Sequence, residues 1–272
     1  QKTLRALIDW SYDLLSESER VLLRRLSVFA GGWTLEAAED VCIDEDIEEA
    51  NGVLARNDIL DLLTRLVDKS LVVLEEQATE THYRMLETIR QYAHDKMVDA
   101  DELEQLRNQH LHFFAQLTEH AQPFLDTAQR TAWIPRLEYE HDNLRAALGW
   151  AIECDLETAR WMAGILERFW FFGDHLSEAH TWYARVLNAG ERTPITRGLA
   201  LALVSSGIVS INLENLDEAQ VSLESSVAMW EHFDEPYWLA WSLGWLSYLL
   251  LQRGEGERAR SIYTEHEPLF RS

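Results

Sequence analysis

Hydrophobic residues return every three to four positions along most of this chain, and the places where that rhythm changes divide it. Leu4, Leu7, Ile8, Tyr12, Leu14 and Leu15 recur at helical spacing. Ser16-Glu17-Ser18-Glu19 has the form of a capping box, in which the serine side chain and the later glutamate reciprocally satisfy free backbone N–H groups. The spacing then predicts a second helix with Leu22, Leu26 and Phe29 on one face. Gly31-Gly32 should end it, because glycine tolerates the left-handed conformation that closes a helix. Thr34 is expected to start a short third helix reaching Cys42. After a loop at 44–49 too charged to pack, Asp58 should cap a helix carrying Ile59, Leu62, Leu63, Leu66 and Val67. The period shortens at 71–74 and 82–86, two β-type runs around a polar turn at 77–81. Helical spacing resumes with Ile89, Tyr92, Ala93 and Met97.

Three helices followed by a two-stranded hairpin is the order of a winged helix, so residues 1–100 are expected to form a winged-helix domain. Beyond residue 101 no strand is predicted. Helices should cover 102–122 and 133–152, separated by 123–131. Pro135 is placed to open the second, since a missing N–H costs nothing in a first turn. These two form a helical connector over 101–154.

The remaining residues, 155–272, repeat with a fixed period. Ser177-Glu178-Ala179-His180, Asp217-Glu218-Ala219-Gln220 and Glu257-Arg258-Ala259-Arg260 align, with their alanines forty residues apart. Such periods mark stacked supersecondary units. Four residues after each alanine stands a large residue, Tyr183, Leu223 or Tyr263; twelve before stand Glu167, Gly207 and Ser247. A helix pair needs this arrangement: alanine permits close approach, the large residue fills the adjacent gap, and a small residue opposite receives it. Glu167 breaks the rule, so the first unit is irregular. The units resemble tetratricopeptide repeats, whose usual period is about 34 residues, with longer helices or loops here. The expected architecture is mainly α, a winged-helix domain with a small β-hairpin followed by a right-handed α-α superhelix of about three such repeats. Leu269 and Phe270 lack an evident polar cap after them, and further repeats are expected beyond Ser272.

In stacked helix pairs the first helices line the concave surface. Carrying the register across the units places Trp161, Arg168, Phe171 and Phe172 there from the first. The second contributes Leu201, Val204, Ile208 and Asn212, and the third Trp241, Tyr248 and Gln252. This lining is more aromatic and apolar than a solvated face, which points to a protein or peptide partner or a small-molecule inducer. The same residues also suit core packing, since the chain holds 11 tryptophans that long helices must bury somewhere.

Composition narrows the partners. A formal charge of −23, from 47 acidic against 24 basic residues, disfavours nucleic acid or an anionic membrane. No apolar run approaches the roughly 20 residues needed to span a bilayer. Two cysteines, Cys42 and Cys154, make no disulfide framework and suggest a reducing, cytoplasmic setting. The chain opens on Gln1 with neither an initiator methionine nor a signal-peptide pattern, and reads as part of a longer protein.

Several stretches carry a family resemblance. They are Ile8-Asp9-Trp10-Ser11-Tyr12-Asp13-Leu14-Leu15-Ser16, the run from Arg25-Leu26-Ser27 through Gly31-Gly32, and 62–71 ending in Val67-Asp68-Lys69-Ser70-Leu71. Tyr83-Arg84-Met85-Leu86-Glu87-Thr88-Ile89-Arg90-Gln91-Tyr92-Ala93 and Glu140-His141-Asp142-Asn143-Leu144-Arg145-Ala146-Ala147-Leu148 complete the set. In this order, across residues 4–148, they resemble the region after the nucleotide-binding domain of STAND-type predicted ATPases, including AfsR-like and LuxR-type transcriptional regulators. The resemblance implies an ATPase domain before the winged helix, a DNA-binding domain at either end, and repeats that restrain the ATPase until an inducer or partner binds. It does not carry ATPase activity onto these residues, because no Gly-x-x-x-x-Gly-Lys-Ser/Thr phosphate loop occurs in them.

Other chemistry finds little support. The winged helix's natural reading helix, at 58–69, has Arg56, Arg65 and Lys69 in or just before it, offset by Asp58, Asp61 and Asp68. Residues 1–100 hold 11 basic and 21 acidic side chains, a net −10, which argues for a protein-docking winged helix over a DNA-binding transcription factor. Of ten histidines, His110 and His112 diverge by about 200° on a helix. Glu138 and His141 could share a face, but no third ligand is placed by sequence. His-Glu-x-x-His and Cys-x-x-Cys are absent, as is a Gly-x-Ser-x-Gly elbow around Ser205 or Ser206. No catalytic residue, metal ligand or cofactor is therefore expected, and the chain reads as a non-catalytic sensor and interaction segment.

Overall fold

A computed structural model describes residues 2–44, 54–76, 81–190 and 195–271. The charged loop expected at 44–49 and the turn expected at 77–81 fall, apart from Asp44 and Thr81, outside the described residues, as does the side chain of Phe270. The chain divides into two compact units, Gln1–Gln116 with Tyr139–Ala147, and Leu117–Glu138 with Leu148–Ser272. The stretch expected as a connector is thus shared between them.

The first unit begins with α1 (Lys2–Asp13) and α2 (Glu17–Leu26). Ser16 and Glu19 form both halves of the capping box at the start of α2. That helix ends at Leu26, earlier than the glycines suggested, because Ser27 closes it: its N–H and its hydroxyl both donate to the Arg24 carbonyl. Gly32 serves a close approach instead, as a Cβ there would lie 2.3 Å from the Tyr139 hydroxyl. Next come β1 (Trp33–Thr34) and α3 (Leu35–Val41), capped by the Thr34 hydroxyl accepting from the Ala37 N–H. A 3-10 turn at Arg56–Asp58 precedes α4 (Ile59–Asp68), so the Asp58 side chain makes no cap bond.

The wing is β2 (Val73–Glu76) and β3 (Thr81–Arg84). β1 adds to the far edge of β3, which gives a three-stranded antiparallel sheet of order β1-β3-β2 where a two-stranded hairpin was expected. Trp33 and Leu74 flank Tyr83 in register. The core includes the fully buried Leu22, Leu23, Leu26, Ile59, Leu63 and Phe29, and Phe29 stacks on Trp33 at 5.4 Å between ring centres. Helix α5 (Glu87–Asp99) completes the winged helix. Three further helices are shared between the units: α6 (Leu103–Leu125), α7 (Arg130–Tyr139) and α8 (His141–Cys154). Helix α6 runs through Pro123, and Pro135 lies inside α7 instead of opening it.

The second unit is built from helix pairs. Helices α9 (Leu156–Ile165) and α10 (Glu167–Phe172), meeting at Leu166, together pair with α11 (Leu176–Asn188). Helix α12 (Arg197–Asn212) pairs with α13 (Leu216–Trp230), and α14 (Pro236–Gln252) with α15 (Gly256–Glu265), followed by α16 (Glu267–Arg271). The forty-residue period is visible in the backbone. Asp174, Glu214 and Gly254, forty apart, take φ of 63°, 62° and 79°. The N–H of the residue after each donates to the carbonyl of Trp170, Ser210 or Leu250 at 2.8 Å, a repeated left-handed helix end.

The small positions behave as the repeat requires. A Cβ on Gly207 would lie 2.6 Å from Leu223 Cγ, and Ala179, Ala219 and Ala259 are all buried. Tyr183 and Leu223 fill their gaps completely, whereas Tyr263 is half-exposed. Small hydroxyls staple neighbouring helices: Ser205 donates to the Gly164 carbonyl at 3.0 Å, and Ser226 to the Ala200 carbonyl at 2.8 Å.

Candidate ligand groove

Helix α14 carries the feature that distinguishes the second unit. Pro236 sits in its first turn, where no N–H is needed. Tyr237, Trp241, Trp245 and Tyr248 follow at spacings of four, four and three, which places them along one side of the helix. The opposite side is core, with Leu243, Leu246, Leu249 and Leu250 buried. The aromatic side walls a groove of about 780 Å3. Arg168 and Phe171 from α10, and Ile208, Ile211 and Asn212 from α12, form the facing wall; Tyr263 and Leu269 also contribute. Gly244 lies in the groove with no neighbouring atom within 4 Å of where its Cβ would stand. The aromatic rings brace one another, Trp241 edge-on to Trp245 at 6.1 Å and Trp245 to Tyr248 at 5.6 Å.

Arg168 is the one charged residue of the lining. Its guanidinium lies 4.9 Å over the Trp241 ring, and its Nε is 2.7 Å from Asp126 Oδ1 without the alignment of a hydrogen bond. A smaller recess of about 130 Å3 shares Arg168, Tyr237 and Trp241 with the groove and reaches Glu167, Asp126 and Trp238. Burial pushes the Glu167 carboxyl up to about 7, with Arg168 opposing the shift and Asp126 adding to it.

Of the residues expected on the inner face, Arg168, Phe171, Ile208, Asn212, Trp241 and Tyr248 come together in the groove. Leu201 and Val204 lie in the core, 1% and 0% exposed. Helix α12 is buried on nearly all sides, and Leu201 closes against Gly164, where a Cβ would sit 2.4 Å from its Cγ. Trp161 is half-buried against the same core, edge-on to Trp238 at 6.3 Å. Phe172 does not line the groove; it is 41% exposed, with the Arg130 guanidinium 4.6 Å over its ring. Gln252 is exposed beyond the groove and donates to the Tyr248 hydroxyl at 2.7 Å. Sequence reasoning missed Tyr237, Trp245, Ile211, Ala240, Gly244, Tyr263 and Leu269. Extending the helical spacing four residues either side of Trp241 finds Tyr237 and Trp245; Tyr263 and Leu269 come from other helices and leave no such signal.

In the first unit two of the three cations in or beside the reading helix are engaged. Arg56 pairs with Asp40 and Glu39, and Lys69 Nζ lies 2.7 Å from both oxygens of Glu19. Burial raises the Glu19 carboxyl, but bonds from Lys69 and Ser16 leave it lowered on balance. The exposed side of α4 presents Leu60, Asp61, Thr64, Arg65 and Asp68, with no basic excess. Glu138, weighed as a metal ligand, meets a histidine the sequence did not place beside it: His175 Nε2 lies 2.9 Å from its Oε2. Cys42 and Ser205 do not form a nucleophilic site. The Cys42 thiol is buried and pushed up to about 12, and Ser205 is spent on its helix staple. His110 is buried and lowered to about 4, its Nε2 lying 3.4 Å from Asn143 Oδ1. Among the described residues no helix is long and apolar enough to cross a membrane.

Residues 15–97 match the family described as a winged helix-turn-helix domain. A putative HTH-type transcriptional regulator of Mycobacterium bovis is 38% identical over 188 residues, 69% of this chain and 20% of the relative. One of Mycobacterium tuberculosis matches to the same extent. The chain thus spans about a fifth of the length of these curated relatives. Among solved structures, BtubC from P. vanneervenii is 18% identical with a TM-score of 0.44, covering 86% of this chain and 88% of that one. A signal-transduction ATPase with numerous domains and a tetratricopeptide repeat sensor, from Pyrococcus horikoshii, is 17% identical with a TM-score of 0.39, covering 95% and 45%.

Proposed function

We propose that this chain is the sensing segment of a larger transcriptional regulator, in which the helical-repeat groove takes an inducer and the winged helix docks protein instead of reading DNA. The observation that carries the reading is the groove on α14. An aromatic-walled concavity of about 780 Å3 falls in the range of small-molecule sites, which are concave, mostly apolar and fixed by a few polar groups. Arg168, Asn212 and the tyrosine hydroxyls are the polar groups here, and they favour a small organic inducer over a flat protein partner.

The docking role of the winged helix is supported by its charge. Phosphate contacts require available cations, and Arg56 and Lys69 are held by neighbouring carboxylates. Helix α1 exposes Leu7 and Trp10, and Leu14 follows just beyond its end, each more than half accessible. Such a stripe suits a protein neighbour, and a nucleotide-binding domain of the parent regulator is the neighbour this reading assigns.

Gly244 offers the direct test. Gly244→Phe adds a side chain on the groove wall, at a position where a Cβ meets nothing within 4 Å. A thermal-shift screen of metabolites against wild type and Gly244→Phe is expected to yield compounds that stabilise only the wild type. Hits that stabilise both proteins equally, or a complete lack of hits, overturn the groove as the sensing site. A gel shift showing tight, salt-sensitive DNA binding by this chain overturns the docking role of the winged helix.

A further inference from the structure

Glu167 occupies the position at which the other two repeats carry Gly207 and Ser247. It is 3% exposed, its Oε1 has no hydrogen-bond partner, and it faces the recess beside the groove. A buried carboxylate oxygen left unpaired is costly, so its retention at a position that asks for a small residue needs a cause. We propose that the recess is an amine subsite: it takes the primary ammonium of an organic amine whose apolar body lies along the aromatic wall of the groove. This rests on the groove being the sensing site and names the ligand class for it.

Charge selects the cation. The recess holds two carboxylates, Asp126 and Glu167, and one guanidinium, Arg168, whose Nε lies 2.7 Å from Asp126 Oδ1 and 3.5 Å from Glu167 Oε2. Two carboxylates share one cation, so the recess is one positive charge short when both are ionised. An arriving ammonium donates to the Glu167 carboxylate, supplies the missing charge and sits among Tyr237, Trp238 and Trp241. Aromatic faces attract cations most strongly when water is excluded, and Arg168 over Trp241 already uses one such face. An anionic ligand would meet both carboxylates, so Arg168 alone does not select one. A recess of about 130 Å3 accommodates a head group and a short alkyl stem, and the body lies along the groove that shares its wall.

Without ligand, burial holds Glu167 largely protonated below about pH 7. The ammonium binds the carboxylate form, so the carboxyl proton leaves to solvent and the amine keeps all of its own. Binding near pH 6 therefore releases a proton, a signature that apolar docking alone does not produce.

The test is calorimetry on the whole 272-residue chain with three probes of matched body: 2-phenylethylamine, 2-phenylethanol and 3-phenylpropionate. The amine is expected to bind about tenfold tighter than the alcohol, the difference a charge-assisted bond supplies. Titration near pH 6 in buffers of different ionisation enthalpy should report proton release. Glu167→Gln should lose the amine's advantage and its proton release, keep alcohol binding, and melt no lower than wild type. Equal affinity for amine and alcohol, tightest binding of the carboxylate, an unchanged amine affinity in Glu167→Gln, or no binding of any probe overturns the amine subsite. Alcohol or carboxylate binding that vanishes in Gly244→Phe, with no preference for the amine, leaves the groove standing and removes only its ligand class.

Discussion

Two sites of buried charge, one in each unit, are built in opposite ways. In the winged-helix unit, Arg25 donates to the Cys42 carbonyl, Asp44 and Glu102, while Arg24 reaches the same Glu102 at 2.6 Å. Burial raises the Glu102 carboxyl, but the two arginines bring it below the usual carboxylate range. Every group in that cluster has a partner. In the repeat unit, Glu167 is as deeply buried, has one oxygen without a partner, and sits beside an open aromatic groove. A closed network fixes a shape; an incomplete one next to a cavity leaves an interaction for something else to make. The difference separates a region whose buried charges are mutually satisfied from the one proposed as the ligand site.

The sharpest break in this contrast is Arg25→Met. It removes the centre of the closed network and leaves Asp44 and Glu102 without their shared cation in a largely buried site. Losing one partner of a buried pair costs about 3–5 kcal/mol, so the winged helix should unfold at much lower urea than wild type. Little change in the urea midpoint would mean that water already screens the network.

Glu167→Gln probes the open side. The native carboxyl titrates at about 7 against an ordinary 4.5, so the folded state binds more protons between those values and stability falls as pH rises through them. Burial drives the shift, Asp126 adds to it, Arg168 opposes it, and Tyr183 nearby stays neutral because its own burial raises it well above its ordinary range. The penalty is absent below about pH 4.5 and complete above about pH 7, where it amounts to about 3 kcal/mol. Glu167→Gln should therefore match wild type near pH 4.5 and exceed it near pH 8 by that order in chemical denaturation. A pH-independent difference would remove Glu167 as the ionising group.

How far the sequence foretold this architecture follows from the range of the forces involved. Local signals carried well: the capping box at Ser16, the Thr34 cap, the helical stripes and the forty-residue period all reappear in the structure. Strand β1 left no trace, because two residues cannot show an alternation and its pairing with β3 spans fifty positions of chain. The end of α2 was misplaced because Ser27, a less obvious terminator than glycine, supplies the closing bonds. At the groove, one helix face was legible and its neighbours were not. Trp241 and Tyr248 follow from periodicity, whereas burial of Leu201 depends on Gly164 lying opposite it in another helix. Glu167 was visible as an exception to the repeat, yet only three-dimensional placement turned that exception into an unpaired carboxyl.

Two glycines in equivalent helices sharpen the contrast between core and groove at the scale of one methyl group. Gly207 faces the pairing helix, and a Cβ there would meet Leu223 Cγ at 2.6 Å and the Ala219 carbonyl at 3.3 Å. Gly207→Ala should cost about 1–3 kcal/mol by overpacking, seen as a lower melting temperature. Gly244 is also in mid-helix, but its Cβ would meet nothing within 4 Å. A helix interior prefers alanine to glycine by about 0.5–1 kcal/mol, because glycine loses more backbone freedom on folding. Gly244→Ala should therefore raise the melting temperature by the few degrees that amount implies. A methyl group fills little of a groove of about 780 Å3, so ligand binding should survive Gly244→Ala and fail only with the larger Gly244→Phe. Destabilisation by Gly244→Ala would mean that this wall is packed like the wall behind Gly207, and that the groove closes in solution. Stabilisation with binding retained is the outcome expected of a glycine kept at the cost of helix stability to leave room for a ligand.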